Sequence, residues 1–154
     1  MDSKHIKSIT IVVTDKINDN KHEASYTEFD FNGNEVLSID RDIDGSINAK
    51  NVSVYDVNNN RVEMMIYSFD ESVPDEKHIF YRNDNHIIEK TVIEYLDGSK
   101  SVKTYKRENL KLTIETVDEE GQIEEKEIDI LDDADNIIEK KVWDYEGTLT
   151  LFTT

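Results

Sequence analysis

Phe29-Asp30-Phe31-Asn32-Gly33-Asn34-Glu35-Val36 returns as Tyr55-Asp56-Val57-Asn58-Asn59-Asn60-Arg61-Val62, and again as Tyr81-Arg82-Asn83-Asp84-Asn85-His86-Ile87-Ile88. The interval is 26 residues each time. Each copy has the same grammar. An aromatic residue closes a β-prone run, a cluster of Asn, Asp and Gly turns the chain, and an aliphatic residue opens the next run. Weaker echoes fall 14 residues on, at Ile43, Phe69 and Tyr95, and the same step leads from Val117 to Leu131 to Tyr145. One step is a strand plus a turn, so the 26-residue unit is read as a pair of strands.

Outward from this unit the punctuation continues to both ends. Turn chemistry stands at Asn18-Asp19-Asn20, Asp44-Gly45, Asp97-Gly98, Glu108-Asn109, Glu120-Gly121, Asp135-Asn136 and Glu146-Gly147, besides the three repeat turns. A looser turn holds the single proline, in Ser72-Val73-Pro74-Asp75. Asn-Gly and Asp-Gly tolerate positive φ, so two-residue hairpin loops are expected at these places. Between them lie runs rich in β-branched and aromatic residues: Ile6 to Val13, Val36 to Ile39, Val52 to Tyr55, Val62 to Tyr67, Ile87 to Tyr95 and Leu110 to Val117. In the last, Leu110, Leu112 and Ile114 alternate with Lys111, Thr113 and Glu115, the period of a strand. Ile137, Ile138, Lys141, Val142 and Tyr145 also fit a helix face. The 14-residue register shared by Ile123, Ile137 and Leu151 favours a strand. The expected fold is all-β: residues 1–154 form a single domain of tandem antiparallel β-hairpin repeats. About twelve strands make a meandering, twisted sheet, open or curled toward a barrel.

The turn unit, aromatic-Asp-x-x-Gly/Asn-x-x-hydrophobic with Asp-Gly half a unit later, resembles the YD repeats of the RHS family from about residue 29 to 145. The resemblance implies hairpins laid side by side in a long curling sheet. The Gly-Arg-Leu that commonly follows the family's turn is Gly33-Asn34-Glu35 here, and Asn60-Arg61-Val62 in the next unit. RHS proteins wall off a toxin with hundreds of residues. A chain of 154 residues is too short for that, so the resemblance carries architecture and not the shell.

Composition narrows the function classes. A net charge of −17 opposes nucleic acid, whose binding relies on Lys and Arg neutralising phosphates, and opposes anionic membrane surfaces. It favours a basic protein partner and speeds the encounter. Hydrophobic residues make up 36% and charged residues 34%, which predicts a thin core. The 7 Tyr, 5 Phe and recurrent Val, Ile and Thr argue for a folded chain nonetheless. Without cysteine there is no disulfide frame, thiolate metal site or thiol nucleophile. The longest apolar run near the N-terminus, Ile11-Val12-Val13, is far shorter than a signal-peptide core or a membrane span. A cytoplasmic location is therefore expected.

Few constellations suggest chemistry. Asp40-x-Asp42-x-Asp44-Gly45 matches the first half of a calcium loop, but Asn51 stands where the closing bidentate Glu belongs. Asp44-Gly45 also fills a turn slot that the repeat requires. His5, His22, His78 and His86 lack ligand spacing for zinc, although His78 and His86 flank one turn. No nucleophile elbow, phosphate loop or dinucleotide fingerprint occurs, and the glycines fall in Asn-Gly, Asp-Gly or Glu-Gly pairs. No cofactor and no catalysis are expected.

Charge is distributed unevenly. From Glu115 to Asp135 there are eleven acidic residues and one basic one, Lys126. Just upstream stand Lys100, Lys103, Lys106, Arg107 and Lys111, opposed only by Glu108. Paired strands would offset many of these charges across the ladder; what remains exposed would dock a partner. The sequence thus reads as an acidic inhibitor of the immunity type that neutralises a basic toxin. Its candidate contacts are Glu119, Glu120, Glu124, Glu125 and Asp129, with Tyr95, Tyr105, Trp143 and Tyr145 as aromatic anchors. A non-catalytic β-repeat scaffold or adhesion module is the alternative, and a small ligand-binding β-barrel comes third.

Overall fold

The computed structural model describes residues 5–17, 20–68 and 72–153. Twelve strands fill it: β1 (Ser8–Thr14), β2 (Lys21–Phe29), β3 (Glu35–Arg41), β4 (Ile47–Tyr55), β5 (Arg61–Tyr67), β6 (Glu76–Arg82), β7 (Ile88–Tyr95), β8 (Lys100–Glu108), β9 (Lys111–Val117), β10 (Ile123–Leu131), β11 (Ile137–Asp144) and β12 (Leu149–Thr153). They follow one another in a single sheet in chain order, with β1 at one end and β12 at the other. The ladders that join them are antiparallel. The meander is therefore open, and closure into a barrel does not occur. The segment that also fits a helix supplies strand β11 up to Asp144, with Tyr145 in the turn that follows. Contacts divide the chain into two compact units, Met1–His78 and Ile79–Thr154; the boundary falls within β6.

The turns explain the repeat and correct its detail. In the first, Asp30 N–H donates to Asn34 O and Gly33 N–H donates to Asp30 O. Asp30 Oδ1 accepts the amides of Asn32 and Asn34 at 2.8 and 2.9 Å. Only the fourth residue takes positive φ, +86° at Gly33. This is a type I turn followed by a left-handed residue, not the two-residue loop expected from Asn-Gly, which would need positive φ earlier. The left-handed slot accepts Asn59, His86 and Asp135 as well, at φ of 63–64°. The same carboxylate clamp recurs at Asp56, Asp118, Asp132 and Asp144, and through the amide oxygen of Asn83. In the intervening turns Asp44 and Asp97 bond Ser46 and Ser99 instead. Among the described turns only Glu108-to-Lys111 has the expected two-residue loop, with Asn109 at φ 55°.

The clamps show that the third repeat copy is displaced by one. Asn83, not Arg82, answers to Asp30 and Asp56. The even 14-residue echo also resolves into alternating 12- and 14-residue steps. Asp30 is followed by Asp42 and Asp56, and Asp118 by Asp132 and Asp144, as first residues of their turns. Ile43 and Tyr145 lie inside turns, two places past the echo's true positions, Arg41 and Trp143. Phe69 and the Asn18-Asp19 turn lie outside the described residues.

Burial is sparse. The accessible surface is 10787 Å², whereas two compact globules of half this mass would together expose about 9,700 Å². Directly paired residues share a face of the sheet, so the register assigns sides. In Ile79–Thr154, Thr91, Ile93, Ser101, Thr116, Asp129, Leu131 and Val142 are the buried residues, and the ladders put them all on one face. Small hydroxyls and three aliphatics make a thin core, as the composition predicts. In Met1–His78 no described residue reaches that degree of burial.

Candidate functional site: an acidic interface

Local turn chemistry builds the acidic site. Asp118 N–H donates to Gln122 O, and Gly121 N–H donates to Asp118 O. Asp118 Oδ1 accepts the amides of Glu120 and Gln122 at 2.9 and 2.8 Å. The two residues held at the tip are Glu119 and Glu120, both exposed. A register shift between Ile123 and Glu125 follows, and Glu124 sits within it. Glu119, Glu120 and Glu124 line a cleft of about 220 Å³ with Tyr95, Ser99, Lys100, Ser101 and Asp118. Among the described residues none of these three glutamates, nor Glu125, forms an ion pair. The lysine that lines the same cleft, Lys100, donates to Glu94 at 2.6 Å. That bond, then the charge of Glu94 and less so of Glu119, holds its ammonium above the ordinary lysine range.

The other candidates lie elsewhere. Glu125 is half-buried on the face that carries the core, between Thr116 and Asp144. Asp129 is on that face too, but only 2% exposed. Its Oδ1 has no hydrogen-bond partner. Lys140 Nζ stands 3.7 Å away, beyond hydrogen-bond length, and donates to Glu127 at 2.7 Å. Burial, then the neighbouring Glu127, pushes the Asp129 carboxyl above its usual range, and Lys140 only partly offsets this. Tyr105 shares the face. Its hydroxyl is 3.2 Å from Thr91 Oγ1, and it lines a cleft of about 580 Å³ with Leu112, Leu131, Arg107 and Asp135. Trp143 and Tyr145 belong to another cleft, apolar and about 300 Å³, with Ile123, Lys126 and Ile128. Trp143 is in register with Lys126, on the face opposite Asp129. The nine candidate contacts therefore fall into three places. Only Tyr95 joins the acidic tip.

Part of the acidic stretch is neutralised, but mostly by lysines outside the upstream basic run, such as Lys140 on Glu127. Lys126 pairs with Glu115 at 2.6 Å and Arg107 with Asp135. Of the basic run, Lys100 and Lys106 take Glu94 and Glu108 instead. Sequence reasoning missed Asp118, which organises the tip. Its signal was present as Asp-x-x-Gly, the spacing already seen at Asp30.

The weak calcium candidate is taken apart by the fold. Asp40 lies within β3, opposite Ala49 and Ser25. The backbone of Asp42 closes a turn, and Asp44 Oδ1 accepts from Ser46 N–H and Oγ at 2.9 and 2.5 Å. Among the described residues no three His, Asp or Glu side chains are grouped to hold an ion. His78 Nε2 lies 2.7 Å from Glu76 Oε2, and His86 occupies a turn's left-handed slot. No described helix is long and apolar enough to cross a membrane. No family model matches the chain, and no curated protein matches its sequence.

Proposed function

We propose that this chain is an acidic, protein-binding inhibitor of the immunity type, which neutralises a basic toxin by occupying its surface. The observation that carries the reading is the β9–β10 turn. One clamped loop presents Glu119 and Glu120, with Glu124 beside them, in one cleft with Tyr95, and leaves those carboxylates without ion pairs among the described residues. An acidic turn clamped by Asp118, with an aromatic residue in the same cleft, suits a basic partner. The charge sets on-rate and selectivity, and the ring supplies contact area. The net charge of −17 adds long-range steering. Asp129, buried beside Lys140, has no part in the contact.

The test is co-expression with the product of the neighbouring gene, scored by survival and by isolation of a complex. Glu119→Gln, Glu120→Gln and Glu124→Gln combined should lower the association rate about tenfold at low salt and leave the circular dichroism spectrum unchanged. Association indifferent to both salt and these substitutions would leave the second reading, a repeat scaffold. That reading is favoured by the large surface the thin sheet leaves exposed.

A further inference from the structure

Sheet edges are normally guarded by charge, proline or bulges, because unpaired backbone templates further strands. Here the pattern is reversed. Of the twelve strands, only β1 (SITIVVT) and β12 (LTLFT) contain no charged residue, and they are the two that end the strand order. All seven residues of β1 are exposed, among them Ile9, Ile11, Val12 and Val13 at 44–55%.

β1 is also complementary to itself. Laid antiparallel against a second copy with Ile11 opposite Ile11, Ile9 meets Val13, Thr10 meets Val12 and Ser8 meets Thr14. One step beyond the strand at each end, Lys7 meets Asp15. The backbone agrees with this register. Phe29 N–H donates to Lys7 O and Asp15 N–H donates to Asn20 O, so Lys7 and Asp15 turn their backbone groups toward β2. Alternation along an antiparallel ladder then turns Ile9, Ile11 and Val13 the same way, and directs Ser8, Thr10, Val12 and Thr14 outward. In the self-pairing each outward residue faces another outward residue, so every new hydrogen-bonded pair is filled from both sides. The break in the β1–β2 register skips Ala24 on β2, which leaves β1 regular. On one face the result is a row of β-branched side chains ended by Lys7–Asp15 pairs, and on the other a row of Ser, Thr and Val. Both are favourable cross-strand sets.

We infer that β1 is a homodimerisation edge: two copies join by antiparallel β1–β1 pairing about a two-fold axis at Ile11, an isologous contact. The inference is independent of the inhibitor reading and uses none of its residues. Asp15 keeps its hydrogen bond to the amide of Ile17 and meets Lys7 of the second copy with its carboxylate.

Sedimentation equilibrium of the full chain tests it. The expected result is a reversible dimer of twice the 17.9 kDa chain mass. Ile11→Lys, which opposes like charges on the axis, should abolish it. Thr10→Pro, which removes an outward N–H at a tolerated edge position, should do the same. Lys7→Glu and Asp15→Lys should each be monomeric alone but form a heterodimer when mixed, because each new charge meets its opposite across the axis. Circular dichroism of each variant establishes that it is folded. A monomer at several hundred micromolar wild-type chain would overturn the inference. So would a dimer that survives Ile11→Lys and Thr10→Pro in folded protein, which would place self-association on β12 or on a face.

Discussion

Met1–His78 and Ile79–Thr154 are written in the same hairpin grammar, yet they hold their strands differently. In the second unit one face collects Thr91, Ser101, Thr116, Asp129, Ile93, Leu131 and Val142 out of water. In the first, the corresponding rows set Ser25 beside Asp40 and Ser38 beside Asn51, and no described side chain is buried to that degree. Turn clamps and ladders are present in both, so these suffice to define strands. Tight side-chain packing is a separate layer, and only the second unit has it. Surface pairs do not make the difference: the first unit has Lys77–Glu63 at 3.1 Å, Lys50 over the Tyr67 ring at 4.5 Å and a turn-to-turn bond from Asn34 to Asn59 at 3.1 Å, and the second has ion pairs such as Lys126–Glu115 and Lys140–Glu127 besides its packed face.

The strongest way to break this contrast is to empty the packed face. Leu131→Ala should destabilise the second unit by about 2–5 kcal/mol, the usual range for deleting a buried leucine. Leu37→Ala, on a half-buried row between Glu28 and Val52, should cost about 1 kcal/mol. Residue-resolved amide exchange is the measurement, because it reads each unit separately. Equal losses in the two units would show that the thin core contributes nothing the ladders do not.

Much of this was legible in the sequence. Eleven turn signals and their spacing specify twelve strands, because Asp, Asn and Gly at fixed offsets have few other uses. The phase of the repeat was harder to read. Arg82 follows an aromatic as Asp30 does, but only an oxygen acceptor can clamp two amides, and that is Asn83. The location of the core was not legible. Thr91, Ser101 and Thr116 are polar residues typical of a solvated face, and only the register shows them stacked on one side with Ile93 and Leu131. Nor does sequence order say that Trp143 and Asp129 point to opposite faces. Tyr95 and the acidic tip, 24 residues apart from Tyr95 to Glu119, meet only through β8 and β9.

A smaller effect isolates the least comfortable member of the packed face. Asp129→Asn removes a buried charge whose Oδ1 lacks a hydrogen bond and leaves Lys140 with Glu127. Stability at neutral pH should rise by about 1 kcal/mol. The sign of the pH dependence follows from the raised carboxyl pKa. A group that holds its proton more tightly when folded favours the folded state at low pH, and that advantage is lost as pH rises through the folded value. Asp30, Asp44, Asp97 and Asp132 behave oppositely. Hydrogen bonds from the side chains of Asn34, Ser46, Ser99 and Asn136 respectively lead in holding them below 3.8. Their contribution is present above the ordinary carboxylate range and lost as pH falls. Acid titration of the wild type should therefore show net destabilisation, and Asp129→Asn should steepen it. A shallower acid limb in that variant would contradict the assignment.

The smallest expected effect concerns the first unit's exposed edge. If a second copy covers β1, the amides of Ser8, Thr10, Val12 and Thr14 should become protected as protein concentration rises. Those of Ile9, Ile11 and Val13, turned toward β2, should be slow at every concentration. That alternate-residue pattern is specific to edge pairing; face-to-face association would leave it flat. Salt gives a second sign. Two chains of net charge −17 repel, and the Lys7–Asp15 contacts offset little of that, so raising ionic strength from about 20 to 150 mM shortens the screening length to about 8 Å and should tighten the dimer a few-fold. The same change should slow association of a basic partner at Glu119, Glu120 and Glu124. Opposite salt responses in one protein would separate the neutral edge from the acidic tip. A dimer weakened by salt would mean that ion pairs, rather than the backbone of β1, hold the two copies together.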